Sequence, residues 1–302
     1  MDPQVEQVRR FNRLVTQRVG ALDESYLKRG RPLSEARLIH EIGVAGADAR
    51  SLRLRLGLDS GYLSRLLQSL KAQRLVELGR GAADGRLRRV RLTRAGRAER
   101  AAYDRLSDKL AASMLAPLDA RERGRLTAAM GEVERLIKAA AIEVAVEPPD
   151  GADARASLSA YFGELVARFE GGYDPARDNT APDENMRPPD GVFLVARLDG
   201  QAVGCGGLKR VGEAAGEIKR VWTAPHARGL GVARRIVRKL EAEARRMGLT
   251  TVRLDTNKAL TEAQALYRSE GYREVPRFND NPYAHCWFEK TLADHPLAPL
   301  SN

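Results

Sequence analysis

The chain has 302 residues, 43% hydrophobic and 30% charged, with a formal net charge of +11, a length and composition that suit two folded domains with separate cores. No stretch approaches the ~18 consecutive apolar residues of a membrane span, and Met1-Asp2-Pro3-Gln4 lacks the basic-then-apolar order of a signal peptide, so a cytoplasmic protein with no membrane partner is expected. Two cysteines, Cys205 and Cys286, exclude a disulfide framework and lie at no metal-ligand spacing, so no metal is expected either.

Val5, Val8, Phe11, Val15, Val19, Leu22 and Tyr26 recur every three to four positions, which predicts one long amphipathic helix ended by Gly30-Arg31-Pro32. Helices are expected over 33–42, 47–56 and 60–75, with Gly57 breaking the chain and Asp59 or Ser60 capping the last. Short strands at 76–78 and 88–92 flank a loop, 79–86, with Asp84-Gly85 turn chemistry. Helices over 94–114 and 119–146 follow, the second opened by the capping-box spacing of Asp119 and Glu122. Residues 147–153, with Pro148, Pro149 and Gly151, read as a linker. Beyond it come a helix over 154–169, strands over 191–198, 202–210 and 217–223, and a helix over 231–247. Strand 251–255, helix 262–270 and strand 286–292 complete an α/β or α+β domain. The expected domains are 1–146 and 154–302.

The excess positive charge is local. Residues 1–147 carry 29 Lys/Arg against 19 Asp/Glu, residues 148–302 carry 22 against 21, and block 48–100 carries 14 against 5. Such a block is the footprint of a polyanion-binding face on one domain, although a solvated basic surface has the same composition. In the helix over 60–75, Leu63, Leu66, Leu67 and Leu70 share one face and predict a core. The opposite face offers Ser60, Tyr62, Ser64, Arg65 and Ser69, small polar groups with one Arg, suited to a major groove. Arg80, Arg86, Arg88 and Arg89 sit on or beside the hairpin, where an Arg enters the minor groove or grips phosphate.

This segment resembles the MarR family of winged-helix repressors over roughly residues 4–146. The match is carried by Asp84-Gly85-Arg86, by Leu92-Thr93-Arg94-Ala95-Gly96, and by Ser64-Arg65 in the recognition helix. The resemblance implies a wing stabilised by Asp84, a DNA contact by Arg86, and a homodimer joined through the first and last helices on a near-palindromic double-stranded operator. Linking two modules raises the effective affinity that one lacks.

In the second half, the strand 217–223 leads through Ala224-Pro225-His226-Ala227 into Arg228-Gly229-Leu230-Gly231-Val232-Ala233, which opens a helix. Helix N-termini expose unpaired N–H groups and bind phosphate. The loop has neither the dinucleotide-binding nor the Walker spacing. It is similar to the Arg/Gln-x-x-Gly-x-Gly/Ala loop of the GNAT superfamily of N-acetyltransferases, and the resemblance extends over 154–292. Ala263-Gln264-Ala265-Leu266-Tyr267 with Gly271-Tyr272 matches that family's second motif.

The resemblance implies acetyl-CoA as cosubstrate and roles for single residues. Backbone N–H groups of Arg228, Gly229, Leu230, Gly231, Val232 and Ala233 would hold the pyrophosphate, and Val221 and Trp222 would pair with the pantetheine arm. Tyr267 would protonate the departing thiolate, a phenol and a thiol having similar pKa values; a packing tyrosine is the alternative. Glu217, acting through a water or directly, is the leading base, or else an ion-pair partner of Lys219 or Arg220; His285 and Asp280 are runners-up in an irregular, aromatic and polar segment, 278–285, that reads either as acceptor-pocket lining or as a surface loop. Where the family carries Asn seven residues before the Tyr, this chain has Leu260, so Asn257 is the remaining candidate for that CoA contact. Cys205, mid-strand without an adjacent His, is not expected to be a nucleophile. The resulting expectation is a winged helix-turn-helix regulator fused to an acetyl-CoA-dependent N-acetyltransferase acting on a small-molecule amine. The alternatives are a regulator whose second domain only senses acetyl-CoA or a small molecule, and an acetyltransferase whose winged helix only dimerises.

Overall fold

A computed structural model of the chain describes residues 2–80, 88–174 and 183–292. They fold as two compact units that divide between Met130 and Gly131.

The first unit contains α1 (Pro3–Arg18), α2 (Leu33–Ile42), β1 (Ala47–Asp48), α3 (Ala49–Leu56), α4 (Ser60–Ala72), β2 (Val76–Arg80), β3 (Arg88–Leu92) and α5 (Arg94–Leu115), and α6 (Ala120–Ala140) begins in it. Antiparallel pairing gives a small sheet in the order β1-β3-β2. Its core joins Leu38, Ile39 and Ile42 of α2 to Leu63, Leu66, Leu67 and Leu70 of α4, as the leucine spacing predicts. Gly57 ends α3 in the left-handed region (φ 60°), and the Asp59 carboxylate caps α4 by accepting from Tyr62 N–H at 2.8 Å. This is a winged helix-turn-helix. Asp119 and Glu122 form the reciprocal capping box expected of them, at 2.8 and 3.0 Å.

Gly96 has a packing role. The Thr93 hydroxyl caps α5 through Gly96 N–H at 3.0 Å and donates to Arg74 O at 2.8 Å. A Cβ on Gly96 would lie 2.0 Å from Leu75 O, so the helix approaches the chain closely only because none is there.

The first helix is shorter than its apolar stripe. It stops at Arg18, Gly20 turns the backbone at φ 67°, and Tyr26 lies in a separate 3-10 turn, Tyr26–Lys28, with its ring 6.1 Å from that of Tyr103.

The second unit contains β4 (Glu143–Val146), α7 (Ala152–Arg168), β5 (Gly191–Leu198), β6 (Gln201–Val211), β7 (Ala215–Thr223), α8 (Val232–Arg246), β8 (Thr251–Thr256), α9 (Thr261–Ser269), β9 (Arg273–Glu274) and β10 (Cys286–Thr291). The sheet order is β4-β5-β6-β7-β8-β10-β9, antiparallel except for β7 with β8. Alternate residues of β5 face two cores: Val192, Leu194 and Ala196 join α8, while Phe193 and Val195 join α7. Helices therefore cover both faces of a mixed sheet.

Two expectations about the join are corrected. Residues 119–146 are not one helix, because α6 ends at Ala140 and 143–146 pair with β5 as an edge strand. The segment 147–153 is not a free linker. Glu147 N–H donates to Phe193 O at 3.0 Å, and the carboxylates of Glu147 and Asp153 both pair with Arg197. The second unit thus starts before the prolines that punctuate the sequence. No helix among the described residues is long and apolar enough to cross a membrane.

Candidate functional site

Strands β7 and β8 pair only from Ala215↔Thr251 to Glu217↔Arg253 and then separate. Against β6, β7 is itself bulged, with Arg220 and Val221 standing opposite the single residue Gly206, and Arg220 takes φ 59°. The backbone of β7 beyond Glu217 therefore has no β8 partner, and two cavities open along it.

The larger, about 470 Å³, is lined by Val221, Trp222, Arg228, Gly229, Gly231, Val232 and Ala233 and by Tyr267, with Tyr161 and Glu164 of α7 opposite. Gly229 and Gly231 adopt φ of 80° and 75°. No side chain caps α8, whose first backbone bond reaches from Arg235 N–H to Gly231 O at 3.1 Å, so the N–H groups of Val232, Ala233 and Arg234 precede the ladder. Such a terminus fits a diphosphate. Leu230 differs from the expectation, because its side chain is in the core and its N–H donates to Ala227 O at 3.4 Å. The Arg228 N–H is likewise engaged, by Pro225 O at 3.3 Å. Glu164 was not foreseen. It accepts from Trp222 Nε1 at 3.0 Å and from Arg228 Nη2 at 2.7 Å, tying the loop to α7.

The smaller cavity, about 70 Å³, shares Tyr161, Leu165, Val221, Leu260, Ala263 and Tyr267 with the first and adds Lys219, Arg220, Asp255, Asn281 and Tyr283. Two phenols, Tyr161 of α7 and Tyr267 of α9, thus stand at the junction. Burial raises the pKa of Tyr267, and the Asp255 charge adds to the rise, so the hydroxyl keeps its proton at neutral pH.

Glu217 lies outside both linings. Its oxygens accept from Lys219 and Lys209 at 2.9 Å each. Burial opposes its charge, yet the two ammonium groups outweigh burial and hold the carboxyl below its ordinary value. Burial likewise opposes the charge of Lys219, yet Asp255 and Glu217 together outweigh it and hold the ammonium above its ordinary value. The geometry makes Glu217 an ion-pair partner and removes the direct contact that a base needs.

Asn257 lines the inner cavity rather than the larger cleft, with Nδ2 donating to Tyr283 O at 2.7 Å and Oδ1 accepting from Ala259 N–H at 2.9 Å. This bonding ties down the loop instead of facing a cofactor. His285 contacts Tyr283 O, and Asp280 is exposed and paired with Arg277; neither is among the described residues lining these two cavities, although their neighbours Asn281, Tyr283 and Ala284 line the inner one. Cys205 is buried, which pushes its thiol up to about 12.

On α4, Ser60, Ser64 and Arg65 are exposed, and Tyr62 packs against the core with the Arg65 guanidinium 5.6 Å from its ring centre. Ser69 is not on that face, because its hydroxyl donates to Glu35 Oε1 at 2.6 Å and Gln73 donates to the same carboxylate at 3.0 Å, which fixes α4 on α2. Asp84 and Arg86 lie outside the described residues; Arg88 opens β3 opposite Arg80.

The model of the acetyltransferase (GNAT) family matches residues 158–272, and that of the MarR family matches residues 29–87. Among curated proteins, the IAA acetyltransferase of Azospirillum brasilense is 38% identical over 122 residues, 40% of this chain and 78% of that protein. An uncharacterized N-acetyltransferase of Schizosaccharomyces pombe is 32% identical over 103 residues, 33% of this chain and 63% of that protein. Among solved structures, a GNAT-family acetyltransferase from Staphylococcus aureus covers 51% of this chain and 100% of its own, at 18% identity and a TM-score of 0.44. The chain belongs to the GNAT acetyltransferase family and carries a MarR-family domain ahead of its N-acetyltransferase domain.

Proposed function

We propose that the chain is a homodimeric DNA-binding regulator that also moves an acetyl group from acetyl-CoA directly onto the amine of a small molecule. The observation that supports the chemistry best is the place of Tyr267, on the shared wall of the cleft and the inner cavity. Acetyl-CoA supplies the activated acyl group. The N–H groups of Gly231, Val232 and Ala233 hold its diphosphate, the free edge of β7 at Val221 and Trp222 aligns its arm, and Tyr267 gives its proton to the sulfur that leaves. The acceptor amine occupies the inner cavity. The regulatory half is supported by the exposed Ser60, Ser64 and Arg65 on α4 and by the basic block around them; both DNA and acetyl-CoA are met in the cytoplasm.

The test is acceptor-dependent release of free thiol from acetyl-CoA by the purified full chain over a panel of small amines, with calorimetry of CoA in parallel. Thiol release with at least one amine is expected. CoA binding with no release for any amine leaves the sensor reading in its place.

A further inference from the structure

Among the described residues, one carboxylate, Asp255, lines the inner cavity, and that group is held from three directions. Its Oδ2 accepts from Lys219 Nζ at 2.5 Å and from Asn279 Nδ2 at 2.5 Å, and its Oδ1 accepts from Asn281 Nδ2 at 3.0 Å. A carboxylate has about four acceptor directions, so one remains, on Oδ1. The Lys219 charge is divided between Asp255 and Glu217, and Lys209 completes the balance on Glu217. Arg220, also on the wall, sends its guanidinium over the Phe162 ring at 5.6 Å. The other walls are aromatic. Phe169 and Tyr173 have ring centres 5.9 Å apart, and Tyr173 and Tyr283 4.9 Å. Aromatic faces pack an alkyl stem, and the open direction on the fixed carboxylate accepts an amine N–H. A volume of about 70 Å³, at ~10–15 Å³ per water-sized group, holds roughly five to seven non-hydrogen atoms. An unbranched aminoalkyl end fits within that limit, whereas an aminocyclohexane reaches it.

We infer that Asp255 receives an N–H of a primary alkylamine in the inner cavity and takes its proton as the nitrogen attacks the thioester. The inference rests on the acetyl-transfer reading above. The nitrogen forms a bond to the carbonyl carbon and the carbon–sulfur bond breaks. The proton lost by nitrogen goes to Asp255 Oδ1, and sulfur takes the proton of Tyr267. Solvent then returns a proton to Tyr267 and removes one from Asp255, so the protein is restored and the products are an amide and a thiol. Lys219 beside the incoming group disfavours an ammonium and so favours the neutral amine that attack requires. Asn279, outside the lining, is a positioning residue that acts on the acceptor through Asp255; Asn281 holds Asp255 and also lines the cavity.

The experiment titrates the CoA-loaded full chain with n-butylamine and with cyclohexylamine by calorimetry, and measures acetylation of both, for the wild type, Asp255→Asn and Asn281→Ala. The wild type is expected to bind n-butylamine and to acetylate it with at least tenfold higher kcat/KM than cyclohexylamine. Asp255→Asn should weaken n-butylamine binding at least tenfold and lower kcat at least 100-fold, with the Kd for CoA within twofold. Asn281→Ala leaves the Lys219 pair intact and should lower kcat with the KM for acetyl-CoA unchanged. Failure of n-butylamine to bind the wild type, equal use of both amines, or unchanged amine affinity and kcat in Asp255→Asn overturns the inference. If Asp255→Asn no longer binds CoA, Asn281→Ala decides, and wild-type kcat and amine affinity in that variant overturn it. Asp255-dependent amine binding without thiol release sinks the acetyl-transfer reading and leaves the subsite standing.

Discussion

Tyr267 and Glu217 show how burial gives opposite results in two ionisable groups of one unit. Around Tyr267 nothing offsets burial and Asp255 adds to it, so the phenol keeps its proton; around Glu217 two lysines outweigh burial and the carboxylate keeps its charge. Tyr267→Phe should therefore lower kcat by about 10²–10⁴-fold, the range of a positioned general acid, with the Kd for CoA within twofold; equal losses of both would remove Tyr267 as the acid. Because its pKa lies above the ordinary phenol value of about 10, protonated Tyr267 persists as pH rises, and kcat of the wild type should show no falling limb below about pH 10. Tyr267 was legible in the Leu266-Tyr267 and Gly271-Tyr272 spacing. Asp255 was not, because a single acidic residue in a short strand has no motif, and only the separation of β7 from β8 exposes it to the cavity. Ser69 was misread for a related reason: helical spacing assigns it a face but does not show that Glu35 of α2 reaches across to it.

The elements were legible where their signals are local. The caps at Asp59 and Asp119, the break at Gly57, and the leucine face of α4 all follow from neighbours within a turn or two. The errors lie where a partner distant in sequence decides. Residues 143–146 continue the periodicity of α6 closely enough to read as helix, yet their backbone groups gain ladder partners on β5, and Ile142 is buried in the core of the second unit. Gly96 is also explained only by its distant neighbour. Because a Cβ there would lie 2.0 Å from Leu75 O, Gly96→Ala forces α5 away from the end of α4. It should cost about 1–3 kcal/mol, read as a lower denaturation midpoint of the first unit with CoA binding unchanged. An unaltered midpoint would show that the close approach contributes nothing.

At the scale of the whole molecule, α1 presents Val5, Val8, Phe11, Leu14 and Val15 to solvent and buries no residue. A stripe of that kind calls for a partner, and a homodimer joined through it is expected to sediment at twice the chain mass. Val8→Asp with Phe11→Asp should give monomers that bind operator DNA at least tenfold more weakly, since the linked second module is lost. A dimer that survives both changes would place the contact elsewhere. Sequence alone determined the order of the two domains, the glycine turn that opens α8, the place of Tyr267 on α9 and the leucine face of α4, because each rests on local spacing. Tertiary structure decided which carboxylate lines the inner cavity, that Glu217 pairs with two lysines, that Ser69 faces α2, and that the second unit begins before the prolines. Those outcomes depend on which distant side chains and strands meet, and local spacing carries no record of such meetings.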